Sequence, residues 1–162
     1  MNEDIKNNFL RDLNQYAGII HRVCNSYFAD PDERQDVSQE ITYQLWKSYQ
    51  SFKGDSKFST WMYKVALNTA MLHIRNKKRN IQNESLNEAA VEIPDESSGR
   101  KDDMRVLYAA INTLDDLDKA IILLYLEEYS YEEIAVMVGI TRTNVSVRLV
   151  RIKKKLEEKI KQ

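Results

Sequence analysis

The sequence predicts an all-α protein with two small helical domains joined by a flexible acidic linker. Its 162 residues include only four glycines and two prolines, too few for the many tight turns of a β-sandwich or barrel. Apolar residues recur at three- and four-residue steps along most of the chain, which is the period of an amphipathic helix. This periodicity stops between residues 80 and 103, so we expect domains at 1–79 and 104–162 with a linker at 80–103.

The amino-acid composition limits the classes of protein to which the chain can belong. Hydrophobic residues make up 43% of the chain and the mean hydropathy is −0.57, values typical of a globular protein. The longest apolar run has seven residues, from Ala120 to Leu126, whereas a bilayer crossing needs roughly 20. The first ten residues are charged and do not resemble a secretory signal. We therefore expect a cytoplasmic protein without membrane insertion.

Two helices are expected before residue 50. Apolar side chains from Ile5 to Tyr27 recur at helical spacing and predict one long amphipathic helix. Asp30 and Pro31, with Glu33 two residues further on, predict a capping box with proline at the first helical position. The second helix would bury the following residues: Val37, Ile41, Leu45 and Trp46.

A third helix is expected to begin near Ser59 or Thr60. The side that we expect to be buried carries Trp61, Val65, Ala66, Thr69 and Leu72. Four cations between Arg75 and Arg79 suit a helix C-terminus, because the helix dipole is negative there. The next 24 residues, 80–103, contain seven acids, two cations and few apolar residues, so burial cannot offset the entropy cost of ordering them.

The C-terminal domain shows clear helix boundaries. A helical pattern resumes at Met104, with one short apolar face up to Leu114 and another from Leu117 to Tyr125. Ser130 and Glu133 then predict a capping box that opens a helix over residues 131–138. Gly139 predicts a turn, and a last helix is expected over residues 142–159. This arrangement is typical of a helix-turn-helix, whose second helix enters the DNA major groove.

The faces of the last helix and the local charge favour contact with a polyanion. Val145, Leu149, Ile152 and Leu156 align on one stripe and are expected to pack inward. Residues 141–162 contain eight cations and two acids, and residues 75–79 form a second basic group. A merely solvated basic helix is the alternative, but it does not explain the capped helix and glycine turn that precede it.

Several stretches of the sequence match a known pattern when they are taken together. The first is DVSQE at residues 36–40, followed by Leu45 and Trp46, by FKGDSKFSTW at residues 52–61 and by residues 114–156. Together they resemble extracytoplasmic-function sigma factors of the sigma-70 superfamily: the stretches up to residue 61 resemble region two of the family, and residues 114–156 are similar to its region four. The matches occur in the expected order over nearly the whole chain, interrupted by the predicted linker.

The resemblance implies a function and partners. Such a protein directs bacterial core RNA polymerase to promoters and helps to open the duplex. Region two would bind the clamp helices and read the single-stranded minus-ten element, and region four would dock on the flap and read the minus-thirty-five element in the major groove. An anti-sigma factor is a further expected partner, no cofactor or metal is expected, and the free protein is expected to be a monomer.

The resemblance also implies site residues. Core polymerase would contact the acidic face formed by Asp36, Gln39 and Glu40. The minus-ten element would contact Phe52, Lys53, Gly54, Ser56, Ser59, Trp61, Lys64 and Asn68. The minus-thirty-five element would contact Ser146, Val147 and Val150 as base readers, Thr143 and Asn144 beside them, and Arg142, Arg148 and Arg151 as phosphate anchors.

The sequence departs from the family pattern at two places in region four. Asp115 stands where many members have proline, and Ser146 stands where many have a long polar or cationic side chain. Because Val147 and Val150 offer only methyl groups, base reading is expected to depend on thymine methyls and DNA shape.

Other classes of protein fit less well. His21 and Cys24 lie one helical turn apart, but no complementary ligand cluster accompanies them, and no phosphate-binding glycine loop is present. The alternative from another class is a self-sufficient helix-turn-helix repressor or activator with residues 1–79 as a sensing or dimerisation domain. An interaction adaptor is a third possibility, for which the polar face of the last helix would have no purpose.

Overall fold

The computed structural model describes residues 2–52, 54, 56–84 and 102–161, and within these segments it contains eight α-helices and no strand. They form two compact units. The N-terminal unit contains α1 (Asn2–Gln15), α2 (Ala17–Tyr27), α3 (Pro31–Tyr49) and α4 (Phe58–Glu84). The C-terminal unit contains α5 (Asp102–Ile111), α6 (Asp116–Leu126), α7 (Tyr131–Val138) and α8 (Arg142–Ile160). The predicted all-α class is confirmed.

The single long helix predicted at the N-terminus is wrong, because it is two helices that meet at Tyr16. The backbone of Tyr16 has φ −116° and ψ 22°, outside the helical region. Its ring packs on Phe58, with the ring centroids 5.7 Å apart, and Gly18, a poor helix former, follows in the first turn of α2. Only one residue interrupts the helices, so the spacing of apolar residues continues across the break.

The start of α3 is capped differently from the prediction. Pro31 does occupy the first helical position, and the Asp30 carboxylate accepts a hydrogen bond from the backbone N–H of Asp32. Glu33 instead accepts hydrogen bonds from α4: Lys77 Nζ lies 2.9 Å and His73 Nε2 lies 3.1 Å from its Oε2. The Glu33 side chain thus links α3 to α4, because Lys77 and His73 of α4 both lie within hydrogen-bonding distance of it.

α4 is longer than predicted and buries a different face. It continues to Glu84 because no glycine or proline interrupts residues 58–84, whereas the effect of terminal cations amounts to only about 0.3–1 kcal/mol each. Its buried residues are Thr60, Met62, Tyr63, Ala66, Leu67 and Ala70. Of the face predicted to be buried, Ala66 is correct, Trp61, Val65 and Thr69 are half-buried, and Leu72 is 52% exposed.

The N-terminal core lies between the first half of α4 and the helices α2 and α3. Val37, Ile41 and Leu45 of α3 are fully buried, as predicted, and Ile19, Ile20, Val23 and Cys24 join them from α2. Trp46 remains 40% exposed, but its ring contacts Phe9 of α1 at a centroid distance of 5.1 Å.

The C-terminal unit contains the predicted helix-turn-helix. Ser130 Oγ accepts from the N–H of Glu133, and the Glu133 carboxylate accepts from the N–H of Ser130, so the capping box of α7 is confirmed. Gly139 ends α7 with φ +77°, a left-handed conformation that favours glycine. Thr141 caps α8 by accepting from the N–H of Asn144.

α8 packs on three helices through the predicted stripe. It contacts α5, α6 and α7, and Val145, Leu149, Ile152 and Leu156 are its buried residues. Asp115 caps α6 by accepting from the N–H of Asp118 at 2.8 Å. α5 begins at Asp102, two residues before the predicted start.

Of the predicted linker, residues 80–84 extend α4 and residues 102 and 103 open α5. The remaining linker residues, 85–101, lie outside the described residues.

Candidate nucleic-acid and protein-binding surfaces

The loop between α3 and α4 contains the first group of predicted site residues. Gly54 is exposed and has φ +77°, so the loop turns there through a conformation that most other residues avoid. Ser56 and Ser59 are half-buried beside the start of α4. Lys53, also predicted for this site, lies outside the described residues. The loop and the first turn of α4 thus each contribute one hydroxyl side chain near the glycine turn.

An aromatic cluster supports this loop. The ring of Phe52 packs 5.0 Å from that of Trp61 and 5.7 Å from that of Phe58, measured between centroids. Phe52 is therefore half-buried against the other rings of the cluster. Trp61 is also half-buried, which is intermediate between a core and a surface residue.

Tyr49 links this cluster to α1 and was missed by the sequence analysis. Its ring contacts those of Phe9, Phe58 and Trp61, and its hydroxyl donates to Asp12 Oδ2 at 3.0 Å. Burial, followed by the hydrogen bond and charge of Asp12, raises the pKa of Tyr49. The contact joins residues 37 positions apart, and no local pattern in the sequence indicates it.

One face of α4 continues from the loop. Trp61, Lys64 and Asn68 are spaced three and four residues apart and therefore share a face, and Lys64 and Asn68 are exposed. Leu72, one further turn along, is exposed on the same face. The sequence analysis assigned Leu72 to the core, although its spacing of four residues from Asn68 already placed it beside that side chain.

The acidic face predicted on α3 is exposed. Asp36, Gln39 and Glu40 all face solvent, opposite the buried side chains of Val37 and Ile41. Glu40 accepts a hydrogen bond from Gln44 Nε2 at 2.9 Å, one helical turn away. The structure thus brings the three predicted residues together on one side of a well-packed helix, where a partner can reach them.

The exposed face of α8 contains most of the second predicted DNA site. Thr143, Val147, Val150 and Arg151 are exposed, and Asn144 and Ser146 are half-buried. Val150 is 68% exposed, a high value for a valine. A helix that places two valines and an arginine in solvent, opposite a fully buried stripe, has a surface suited to contact base methyls and phosphates.

The three arginines predicted as phosphate anchors have different surroundings. Arg151 is exposed. Arg142 Nε lies 2.6 Å from Glu132 Oε1, and its guanidinium is 5.9 Å from the ring centroid of Tyr131. Arg148 Nη1 lies 2.9 Å from Asp118 Oδ1 of α6. Two of the three cations therefore already have an acidic partner within the protein.

His21 and Cys24 do not form a site. His21 is exposed and Cys24 is buried. Burial raises the pKa of the Cys24 thiol to about 11, so it is a poor nucleophile at neutral pH. Within the described segments, no group of three or more histidine, cysteine, aspartate or glutamate side chains is placed to hold a metal ion. Nor do these segments contain a helix of the length and hydropathy needed to span a membrane.

Two protein-family models match the chain. The model described as Sigma-70 region 2 matches residues 13–80, and the model described as Sigma-70, region 4 matches residues 104–156. The two matches follow the division of the helices into an N-terminal and a C-terminal unit.

Characterised proteins are similar over nearly the whole chain. The ECF RNA polymerase sigma-E factor of Haemophilus influenzae is 31% identical over 163 residues, which cover 93% of this chain and 84% of that protein. The RNA polymerase sigma-H factor of Pseudomonas aeruginosa is 28% identical over 162 residues, which cover 92% and 82% of the two chains.

Solved structures share the fold. The sigma factor RpoE in complex with the anti-sigma factor NepR, from Bartonella quintana, superposes with a TM-score of 0.74 at 24% identity, covering 98% of each chain. CnrH, in complex with the cytosolic domain of CnrY, superposes with a TM-score of 0.63 at 18% identity, covering 94% of this chain and 87% of that one.

Proposed function

The chain belongs to the extracytoplasmic-function sigma factors of the sigma-70 family, and we propose that it uses three separate surfaces to perform the work of that family. Members bind RNA polymerase and direct it to promoters for transcription initiation, and this chain has the same function. The family consists of transcription initiation factors rather than enzymes. We assign no catalytic activity to this chain, and we place its work in the cytoplasm, where polymerase and chromosome meet.

The first surface is the acidic face of α3, which binds core polymerase. Asp36, Gln39 and Glu40 are exposed together on a helix whose opposite side is fully buried. A rigid acidic face of this kind complements a basic helix of a partner and steers its approach. In view of the resemblance to region two, the proposed partner is the pair of clamp helices of the largest polymerase subunit.

The second surface, the loop at residues 52–57 with the adjoining face of α4, binds the single-stranded minus-ten element. The Ser56 and Ser59 hydroxyls can hydrogen-bond an unstacked base, and Gly54, which is exposed and has no side chain, lets a base approach its own main chain. Lys64 and Asn68 extend the polar contact along α4. The aromatic cluster of Phe52, Phe58 and Trp61 holds the loop against the helix and offers ring edges to a base.

The third surface is the exposed face of α8, which reads the minus-thirty-five element in the major groove. The observation that carries the proposal is the exposure of Val147, Val150 and Arg151 on the second helix of a capped helix-turn-helix. Val147 and Val150 contact base methyls, with Ser146, Thr143 and Asn144 beside them, and Arg151 and Arg142 contact phosphates.

An anti-sigma factor is a further proposed partner. Two structurally similar sigma factors were solved in complexes, one with the anti-sigma factor NepR and the other with the cytosolic domain of CnrY. The proposal is that a protein of the same kind binds this chain and withholds it from polymerase.

Charge reversal on α3 tests the polymerase-binding surface. We expect the double variant Asp36→Lys, Glu40→Lys to lose co-elution with core polymerase in gel filtration, because it places two cations opposite a basic partner. The matched control is Glu3→Lys with Asp4→Lys, which makes the same charge change on exposed residues of α1 and should co-elute like the natural chain. Unchanged co-elution of the α3 variant would remove this helix from the polymerase interface.

A further inference from the structure

Arg148 has a different environment from the other cations of α8. Its Nη1 lies 2.9 Å from Oδ1 of Asp118, which is 30 residues earlier in the chain. The Asp118 side chain is only 9% exposed, and that of Arg148 is 30% exposed. The pair therefore joins α8 to α6 at the edge of the core rather than in open solvent.

Asp118 is a firm attachment point. It lies in the first turn of α6, and its backbone N–H donates to the Asp115 cap. The N-terminus of a helix favours a negative charge, so α6 stabilises this carboxylate. α6 therefore fixes the main chain of Asp118 and stabilises the negative charge of its side chain.

Separation of the Arg148 guanidinium from the Asp118 carboxylate is unfavourable. Its Nε is buried and, among the described residues, has no hydrogen-bond partner. A guanidinium that moved away to reach a phosphate would leave the nearly buried carboxylate of Asp118 without its cation, an arrangement that proteins avoid.

The position of Arg148 on α8 lets it control the reading face. It directly follows Val147 and lies one turn before Ile152. Because successive residues are about 100° apart around a helix, an attachment at residue 148, beside the buried stripe of α8, restrains the rotation of the helix about its axis. That rotation determines how far Val147 and Val150 reach toward a base.

We propose that Arg148 is a positioning residue, which acts through Asp118 to set the rotation of α8 and thereby the sequence preference at the minus-thirty-five element, rather than a phosphate anchor. This inference rests on the proposed DNA-reading role of α8. It replaces the anchoring role that the resemblance implies for Arg148, while Arg142 and Arg151 keep theirs.

The isosteric change Asp118→Asn separates the two roles by the sign of its effect. If Arg148 anchored a phosphate, removing the competing carboxylate would free the guanidinium and strengthen promoter binding. If Arg148 positions α8, the same change weakens holoenzyme binding to the cognate promoter by roughly tenfold and alters the preferred bases at more than one adjacent upstream position. Transcription from a library randomised across the upstream element reads out this preference.

Three further variants complete the test, all measured in holoenzyme reconstituted with core polymerase. Arg148→Lys keeps a cation that can bind phosphate but loses the guanidinium geometry, so positioning predicts a loss similar to that of Asp118→Asn. Arg148→Ala should leave the salt dependence of binding unchanged, whereas the control Arg151→Ala should lower its slope by about one unit. The double variant Asp118→Asn, Arg148→Ala should be no weaker than the weaker single variant, because both remove one interaction.

The outcomes are distinct. Stronger binding by Asp118→Asn, or a salt slope lowered by about one unit in Arg148→Ala with an unchanged base preference, would overturn the proposal. A variant that only lowers thermal stability while retaining the natural base preference would overturn it too. If Asp118→Asn does not fold, Arg148→Lys decides the question. Failure of the natural holoenzyme to select any upstream sequence would instead contradict the DNA-reading role of α8.

Discussion

Val150 and Arg151 are neighbours on the exposed face of α8 with different proposed tasks. We expect Arg151→Ala to lower transcription from all cognate promoters alike and to reduce the salt slope of holoenzyme binding by about one unit, because one phosphate contact is lost. Val150→Ala should leave that slope unchanged and relax the preference at a single upstream base, at a cost on the order of 1 kcal/mol.

The measurement is transcription from a library randomised across the upstream element, at two salt concentrations. Leu149→Ala is an informative control, because Leu149 is buried and its truncation should destabilise the fold by about 2–5 kcal/mol. If Val150→Ala weakened all library members equally while Arg151→Ala changed the preferred sequence, the two roles would have been assigned the wrong way round.

At the residue scale, the exposure of a side chain was easier to predict from the sequence than the residue with which it forms an ion pair. The exposed face of α8 follows from helical periodicity alone, and Val147, Val150 and Arg151 are exposed as expected. The partners of Arg142 and Arg148 lie 10 and 30 residues away. Local spacing contains no information on such contacts, so Arg142, Arg148 and Arg151 cannot be distinguished from the sequence.

Two helix ends in the C-terminal unit pass through the same backbone conformation with different residues. Gly139 after α7 has φ +77°, and Glu128 after α6 has φ +69°. The left-handed conformation costs a residue with a Cβ roughly 1–2 kcal/mol. The end of α6 therefore contains strain that the end of α7 avoids.

This difference predicts opposite effects of two substitutions. Glu128→Gly should stabilise the protein and Gly139→Ala should destabilise it, each by about 1 kcal/mol. Among the described residues, and apart from its two chain neighbours, no atom lies within 4 Å of the position that a Cβ would occupy at Gly139, so its substitution tests backbone conformation without a steric clash. Urea denaturation of both variants measures the effects, and a loss of stability in Glu128→Gly would refute the strain at Glu128.

The hydrogen bonds by which Glu33 of α3 contacts Lys77 and His73 of α4 predict that the stability of the protein depends on pH. Burial raises the pKa of Glu33, but the hydrogen bonds and charges of Lys77 and His73 outweigh it, and the net pKa is below the ordinary value of 4.5. A carboxylate with a lowered folded-state pKa stabilises the fold above its unfolded-state pKa, and this contribution disappears as the pH falls through the folded-state pKa.

Glu33→Gln should therefore lower the melting temperature at about pH 7 and lower it less at about pH 3, because the carboxyl group of the natural chain becomes protonated as the pH falls through its folded-state pKa. Thermal unfolding followed by circular dichroism at both pH values measures this. Asp32→Asn is a matched control on an exposed neighbouring carboxyl. An equal difference between the natural chain and Glu33→Gln at both pH values would exclude the proposed ion pairing of Glu33.

At the scale of elements, the caps of the helices could be predicted from the sequence, but the buried face of a helix could not always be predicted. The capping box of α7 and the glycine turn follow from residues within a few positions of each other, and both are confirmed. α4 has apolar residues on two sides, and of the predicted face only Ala66 is buried. The buried side of α4 also contains Met62, Leu67 and Ala70, and this side faces α2 and α3.

The distribution of charge over the whole molecule predicts weak DNA binding by the free protein. Residues 104–140, which precede α8, contain seven acids and two cations, and like charges oppose the phosphate backbone. We expect the isolated chain to bind a promoter duplex weakly and the holoenzyme to bind it tightly. Fluorescence anisotropy at physiological salt, with and without core polymerase, tests this, and a duplex with a scrambled upstream element is the control.

A nanomolar, sequence-specific complex formed by the free protein would contradict this prediction. It would favour the alternative considered from the sequence, a self-sufficient helix-turn-helix regulator with a sensing or dimerisation domain at residues 1–79.

The sequence by itself determined the helical class, the division into two helical units, the helix-turn-helix with its caps and the buried stripe of α8. These features depend on periodicity and on short-range hydrogen bonds, which neighbouring residues specify together. Only the tertiary structure decided the break at Tyr16, the buried face of α4, the Tyr49–Asp12 contact and the attachment of Arg148 to Asp118. Each of these depends on contacts between side chains of different helices. The energies of such contacts are determined by packing in three dimensions rather than by spacing along the chain.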